Sequence, residues 1–309
     1  MTRRIFLLAA MLLVSIHCTA QFKVATYKDG KEAALSFTFD DGASDQLTLA
    51  IPQLEERGWR GTFYIIGSFI PEEGKAFTWD VIRELAGRGH EIGSHTMTHR
   101  NLVEIPYDEA VREVKDCDSL ILARTGVKPL SFAYPFNAAN ARIKTLAEAG
   151  KAGSRTKQTV LGGRSTMEGF TGKLEETIAK GGWLVTMTHG IVNGYDHFTS
   201  LEAYKGYLDL IKSREKSLWI APFAEVNSYI KERDDIRLDV KVKGHRVLID
   251  PVCTLDQDIF HSTLTLETPL CLRKARQAGK ALKVKRIGDK TFVEFNPYAG
   301  RILLKTDRH

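Results

Sequence analysis

From Ala33 to about Glu232, short apolar runs alternate with segments whose apolar residues recur at helical spacing. That alternation predicts a β/α architecture with mostly parallel strands. Seven runs qualify as strands, at 34–39, 62–66, 90–93, 130–134, 152–155, 183–188 and 218–221. Between them, Leu47, Ala50, Ile51 and Leu54 mark a helix in which Pro52 is tolerable only close to the start. Further helices fall around 81–86 and over 107–125, 140–149 and 200–213. After Glu232 the texture changes to alternating β-type segments at 237–242, 245–249, 262–266, 282–286 and 291–295, with no convincing helical pattern among them. The expected organisation is a barrel-forming region over 21–235 followed by a small all-β domain over 236–309.

The apolar stretch Ile5–Val14 lies behind Arg3 and Arg4 and ends in Cys18-Thr19-Ala20. It is about half the ~20 residues that would span a bilayer, so residues 1–20 read as a cleavable signal with Gln21 as the mature start. The expected location is secreted or periplasmic. A lipoprotein reading through Cys18 meets His17 where a small residue is required. Formal net charge is +6, falling to +4 without Arg3 and Arg4, and the basic residues are dispersed. Nucleic acid is not implied. Cys117 falls on the apolar face of helix 107–125 as a buried thiol, whereas spacing leaves pairing of Cys253 with Cys271 open.

Three clusters put chemically capable groups just after apolar strands, where parallel β/α folds build their sites. They are Asp40-Asp41-Gly42, His95-Thr96-Met97-Thr98-His99 and His189. Adjacent carboxylates beyond a buried strand repel unless a cation or proton relieves them. Histidines at i and i+4 can clasp a divalent ion. One Asp with His95 and His99 gives three protein ligands and an open position, a catalytic rather than a structural arrangement, and leaves the other Asp free as base. Each cluster alone has a bland reading, as a turn, a solvated pair or a loop histidine. Their occurrence in this order is what carries weight.

Over roughly 33–232 the sequence resembles the polysaccharide deacetylases of carbohydrate esterase family four. Thr38-Phe39-Asp40-Asp41-Gly42 matches the family's first motif and Ser94-His95-Thr96-Met97-Thr98-His99 its second. The resemblance implies a distorted (β/α) barrel of about seven strands, Zn²⁺ or another divalent transition metal, and removal of acetyl groups from sugars. It implies Asp40 as catalytic base and Asp41, His95 and His99 as metal ligands. Phe132-Ala133-Tyr134-Pro135-Phe136 is similar to the third motif, in which the Phe136 N–H would face the oxyanion and Tyr134 would line the substrate pocket. Met187-Thr188-His189 is similar to the last motif, with His189 as general acid and Met187 beside the acetyl methyl group.

Two departures stand out. Ala133 occupies the place where the family often has an Arg that steadies the base, and Arg155, at the end of the next strand, is the expected replacement. Gly181-Gly182-Trp183 offers no Asp to orient the acid histidine, so the partner of His189 is unassigned. Trp183 is a candidate for the acetyl pocket, and Tyr195 in the loop 193–198 for stacking on a sugar ring. The reading is a metal-dependent hydrolase acting on an acetylated oligo- or polysaccharide, with N-acetyl amides of amino sugars and O-acetyl esters of xylan-type glycans both open. The alternatives are a carbohydrate-binding protein with weakened catalysis on the same scaffold and a hydrolase of a non-sugar amide. Oligomeric state is not legible.

Overall fold

The computed structural model describes residues 22–71 and 77–306. The expected signal at 1–20 lies outside the described residues. The described residues divide into two compact units, one within 32–227 and one joining residues 22–31 to residues 228–306.

Strand β1 (Lys23–Val24) is followed in chain order by β2 (Ala33–Asp40), β3 (Thr62–Ile65), β4 (Glu91–Ser94), β5 (Ser131–Ala133), β6 (Gly153–Arg155), β7 (Thr159–Val160), β8 (Trp183–Thr188) and β9 (Leu218–Ile220). Strands β2 to β9 form one wholly parallel sheet in the order β6-β5-β4-β3-β2-β8-β7, with β9 also paired to β2. Seven of these coincide with the strands legible in sequence, and the eighth is the two-residue β7. All eight positions of β2 are buried, as expected of a parallel strand covered on both faces. One edge of β2 is taken by β8 along Ala34–Phe39. Its other edge is split, β9 pairing with Ala33–Leu35 and β3 with Thr38–Asp40. This sharing curls the sheet and distorts the barrel.

Helices cover the sheet and close its core. Phe39 stacks on Phe63 with ring centroids 4.9 Å apart, among buried Phe37, Leu54, Ile82 and Ile121. The first helical run is continuous over 44–56, with a π-turn at Gln46–Ala50 directly before the regular helix Ile51–Glu56, so Pro52 falls where the ladder has already shifted register. Helix Tyr107–Thr125 runs from Pro106 to Gly126, whose φ of +75° supplies the left-handed stop, and it buries Cys117. Helix Met167–Ala179 was not marked by the sequence pattern; Thr166 caps it by accepting from Gly169 N–H.

The second unit holds two antiparallel sheets. One has the order β1-β12-β16-β15, with β12 (Leu264–Thr268), β15 (Val284–Ile287) and β16 (Lys290–Phe295). The other has the order β10-β11-β17-β13-β14, with β10 (Arg237–Lys243), β11 (Arg246–Val252), β13 (Leu272–Gln277), β14 (Lys280–Ala281) and β17 (Ile302–Thr306). Residues 22–31, expected with the barrel, group instead with these strands, because Lys23 and Val24 pair with Glu267 and Leu266. Likewise the division falls at Asn227/Ser228, inside helix Phe223–Asp235, rather than after residue 235. Cys253 and Cys271 are free thiols; the Cys253 sulfur lies 3.3 Å from the Tyr298 hydroxyl.

Candidate active site

The chemically capable residues gather at the C-terminal ends of the parallel strands. Asp40 is the last residue of β2, His95 follows β4, Arg155 ends β6, and His189 follows β8. Asp40, His95 and His189 line a pocket of about 570 Å³ with Asp41, His99, Tyr134, Phe136, Asn137, Val160, Arg164, Met187 and Tyr195.

Asp41 turns back over this mouth with φ of +71°. His95 Nε2 and His99 Nε2 lie 3.4 and 3.5 Å from Asp41 Oδ1, and one ligand atom from each of the three residues falls within 4.8 Å of the others. Metal–donor bonds of 2.0–2.1 Å in a tetrahedral shell would set donors about 3.4 Å apart. Asp41 Oδ1 is buried with no hydrogen-bond partner. His95 Nδ1 is 2.8 Å from the Ala133 carbonyl, which takes its N–H and leaves Nε2 with a lone pair facing Asp41. The donor set and the orphaned oxygen therefore fit a divalent cation. Residues 95–99 are a loop and not a helical turn. It is shaped by positive φ at Thr96 (+69°) and His99 (+61°) and pinned by Glu113, which accepts from Thr98 N–H at 2.8 Å and from the Thr98 hydroxyl. Among the described residues, eight non-glycine positions have positive φ, and Asp41, Thr96, His99, Phe136 and Asn137 are five of them. Such backbone is held only where the surroundings over-determine it, and five of the eight positions gather around this pocket.

Arg155 meets Asp40 through two bonds, Nη1 to Oδ1 at 2.6 Å and Nη2 to Oδ2 at 2.5 Å, and Nη1 also donates to Thr38 Oγ1 at 2.6 Å. Burial alone would push the Asp40 carboxyl up; the guanidinium charge and its hydrogen bonds, with His95 and His189 nearby, reverse this and hold it below the usual carboxylate range. Arg155 stands directly opposite Ala133 in the β5–β6 register. The positive charge missing from Ala133 is thus supplied from the neighbouring strand at the same level of the sheet. For Asp41, too, burial alone would push the carboxyl up, but the nearness of the His95 ring outweighs it and the pKa is lowered.

His189 lies 4.0 Å from Asp41 Oδ2, and the Tyr195 ring meets it edge-on at 5.0 Å between centroids. Its backbone is held by two residues the sequence reading passed over. Gln46 Nε2 donates to both the Asp40 and His189 carbonyls at 2.7 Å, tying β2 to β8. Asp45 Oδ2 accepts from the successive N–H groups of Ile191, Val192 and Asn193 at 2.8–2.9 Å. The signal was present in Gly42-Ala43-Ser44-Asp45-Gln46, immediately after the first motif. Gly190 completes this turn, since a Cβ there would stand 1.7 Å from the Asn193 carbonyl oxygen. Asp45→Ala should cost about 2–3 kcal/mol, the scale of hydrogen bonds to a charged group, and speed amide hydrogen exchange at residues 191–193 selectively. Unchanged exchange there would show that the carboxylate does not hold the loop.

Of the sequence-derived site residues, Asp40, Asp41, His95, His99, Tyr134, Phe136, Met187, His189 and Tyr195 line the pocket, and Arg155 sits behind Asp40. Trp183 does not. It opens β8, paired with Ala34 at the opposite end of the sheet, where its indole N–H donates to Ser36 Oγ at 3.0 Å and its ring packs on Phe223. Five residue steps of extended chain, about 17 Å, separate it from Thr188. Arg164, unmarked in sequence, does line the pocket. It donates to Asp196 through Nε at 3.0 Å, and its guanidinium carbon lies 5.4 Å from the Tyr195 ring centroid.

The family model described as polysaccharide deacetylase matches residues 27–155. Among curated proteins, a gellan lyase from a Bacillus species is 24% identical over 285 residues, covering 79% of this chain and 11% of its own. A peptidoglycan-N-acetylglucosamine deacetylase of Bacillus cereus is 27% identical over 106 residues, 34% of this chain and 37% of its own. Chitin deacetylase 1 of Cryptococcus neoformans is 27% identical over 130 residues, 42% of this chain and 26% of its own. The chain thus spans well under two thirds of the length of these relatives. A crystal structure of a CE4 family pseudoenzyme from Bacillus anthracis superposes with a TM-score of 0.50 at 16% identity, covering 63% of this chain and 65% of that one, a likeness of fold. The matched segment contains Asp40, Asp41, His95, His99, Phe136 and Arg155 and stops short of His189, and over it the chain is similar to polysaccharide deacetylases.

Proposed function

We propose that the protein is an exported, metal-dependent hydrolase that removes acetyl groups from a carbohydrate polymer. The observation that carries this reading is the convergence of an Asp-His-His donor set with an arginine-held second aspartate and a histidine in one pocket. The related deacetylases are named for peptidoglycan and chitin, which favours a glycan over a non-sugar amide. Among the described residues no helix is long and apolar enough to cross a membrane.

Asp41, His95 and His99 would hold the cation, Zn²⁺ or a similar divalent metal, whose chemistry is to polarise the acetyl carbonyl and lower the pKa of water. Asp40, kept ionised by Arg155, takes the proton from the attacking water. The Phe136 N–H faces the developing oxyanion, and protonated His189 passes its proton to the departing sugar nitrogen or oxygen. Met187 and Tyr134 wall the acetyl group, and Tyr195 offers a face to the sugar ring. A binder without catalysis has no use for a metal donor set together with a second carboxylate and a histidine in one pocket, and that combination argues against it.

The test is acetate release from acetylated xylan, chitin oligosaccharides and peptidoglycan, before and after chelation and with Zn²⁺ restored. Release from at least one polymer should vanish with chelator and return with metal. Release from none by metal-loaded protein would overturn the reading.

A further inference from the structure

The outer face of the five-stranded sheet in the second unit carries a row of cations for which local structure gives no reason. Lys243 of β10 stands opposite Arg246 of β11, Arg246 opposite Lys305 of β17, and Lys305 opposite Lys274 of β13. Four positive side chains thus lie side by side across four adjacent strands, about 14 Å end to end at the usual strand spacing. All four are exposed, while the intervening residues Val247, Leu304 and Ala275 point into the core. The next row on the same face reads Lys241, Leu248, Leu303 and Arg276. Acidic residues appear only in the row beyond, and each has its own arginine: Asp239 binds Arg237 at 2.9 Å, and Asp250 binds Arg301 at 2.7 Å.

Like charges directly opposite one another destabilise a sheet. Lysines on edge strands are commonly explained as protection against aggregation, but β11, β17 and β13 are interior strands. That explanation therefore covers Lys243 and leaves Arg246, Lys305 and Lys274 unaccounted for. A linear array of charge suits an extended polyanion better than a compact ion. Neither row contains an aromatic on which nucleic-acid bases could stack. Between the cations, Leu303 is 47% exposed and offers a small apolar contact for the C–H face of a sugar.

We propose that this sheet face binds an acidic polysaccharide, a chain bearing carboxylates along its length. The binding stands on the charge array alone; the choice of carbohydrate rests on the function proposed above. The probe is polygalacturonate, with its fully methyl-esterified form as the neutral control, and the full chain is measured by equilibrium binding. Affinity should fall about tenfold or more in Arg246→Gln/Lys274→Gln/Lys305→Gln and be near wild type in Lys115→Gln/Lys128→Gln/Lys157→Gln, which removes the same charge elsewhere. Thermal stability of the first triple variant should hold or rise, as repulsion is relieved; Lys305→Gln alone, in the middle of the row, gives the same direction with a smaller change. Equal loss in both triple variants, equal binding to the esterified polymer, or tighter binding to duplex DNA or anionic vesicles would each overturn the proposal. Acetate release should be unaffected by the sheet variants, so failure here and failure of the catalytic reading remain distinguishable.

Discussion

Asp40→Asn is expected to lower kcat by about 10²–10⁴, the usual contribution of a positioned general base, while the protein still takes up one divalent ion per chain. The amide cannot accept the proton of an attacking water. The three donors, Asp41, His95 and His99, are untouched. The substitution also alters the contact with Arg155: the Asn oxygen can still accept from Nη1, but its NH₂ group now faces Nη2, where a carboxylate oxygen had accepted. Some loss of thermal stability will therefore accompany the loss of turnover. Metal stoichiometry by equilibrium dialysis, measured on the folded variant, separates the two effects. A variant that binds metal and retains turnover would remove Asp40 from the role of base.

The barrel was legible because its strands are short, apolar and separated by amphipathic helices, and parallel strands buried on both faces leave few other readings. What escaped was set by tertiary register. The two-residue β7 carries no periodicity of its own and exists because it pairs with Thr186 and Met187 of β8. Strand β17 and the grouping of β1 with β12 likewise depend on partners far away in sequence. At the site, residues that perform chemistry announced themselves by type and order, whereas Asp45, Gln46 and Glu113 act through backbone groups of distant loops. Trp183 shows the converse error. Its residue type suited a sugar pocket, but Trp183 opens β8 while the site lies where the parallel strands end, and its partner Ala34 likewise places it at the far end.

Arg155→Leu tests the least obvious part of the site and should have the largest effect on stability. The guanidinium is buried with both of its outer nitrogens on Asp40, so its removal strands a carboxylate inside the barrel. Breaking a buried pair from one side typically costs about 3–5 kcal/mol, which for a unit of this size corresponds to a fall in Tm of roughly 6–20 °C. Turnover should fall through kcat, with KM little changed, because Arg155 stands behind Asp40 and outside the set of residues lining the pocket. Arg155→Lys keeps the charge but not the planar fork, so it should recover part of the stability and less of the turnover. The decisive variant moves the cation back across the sheet. Ala133 is the register partner of Arg155, and Ala133→Arg combined with Arg155→Ala should regain both Tm and kcat relative to Arg155→Ala alone if either strand can present the guanidinium to Asp40. Recovery of neither would show that the position on β6, and not merely the charge, is required; full kcat in Arg155→Leu would show that the pair serves folding and leaves the base unaffected.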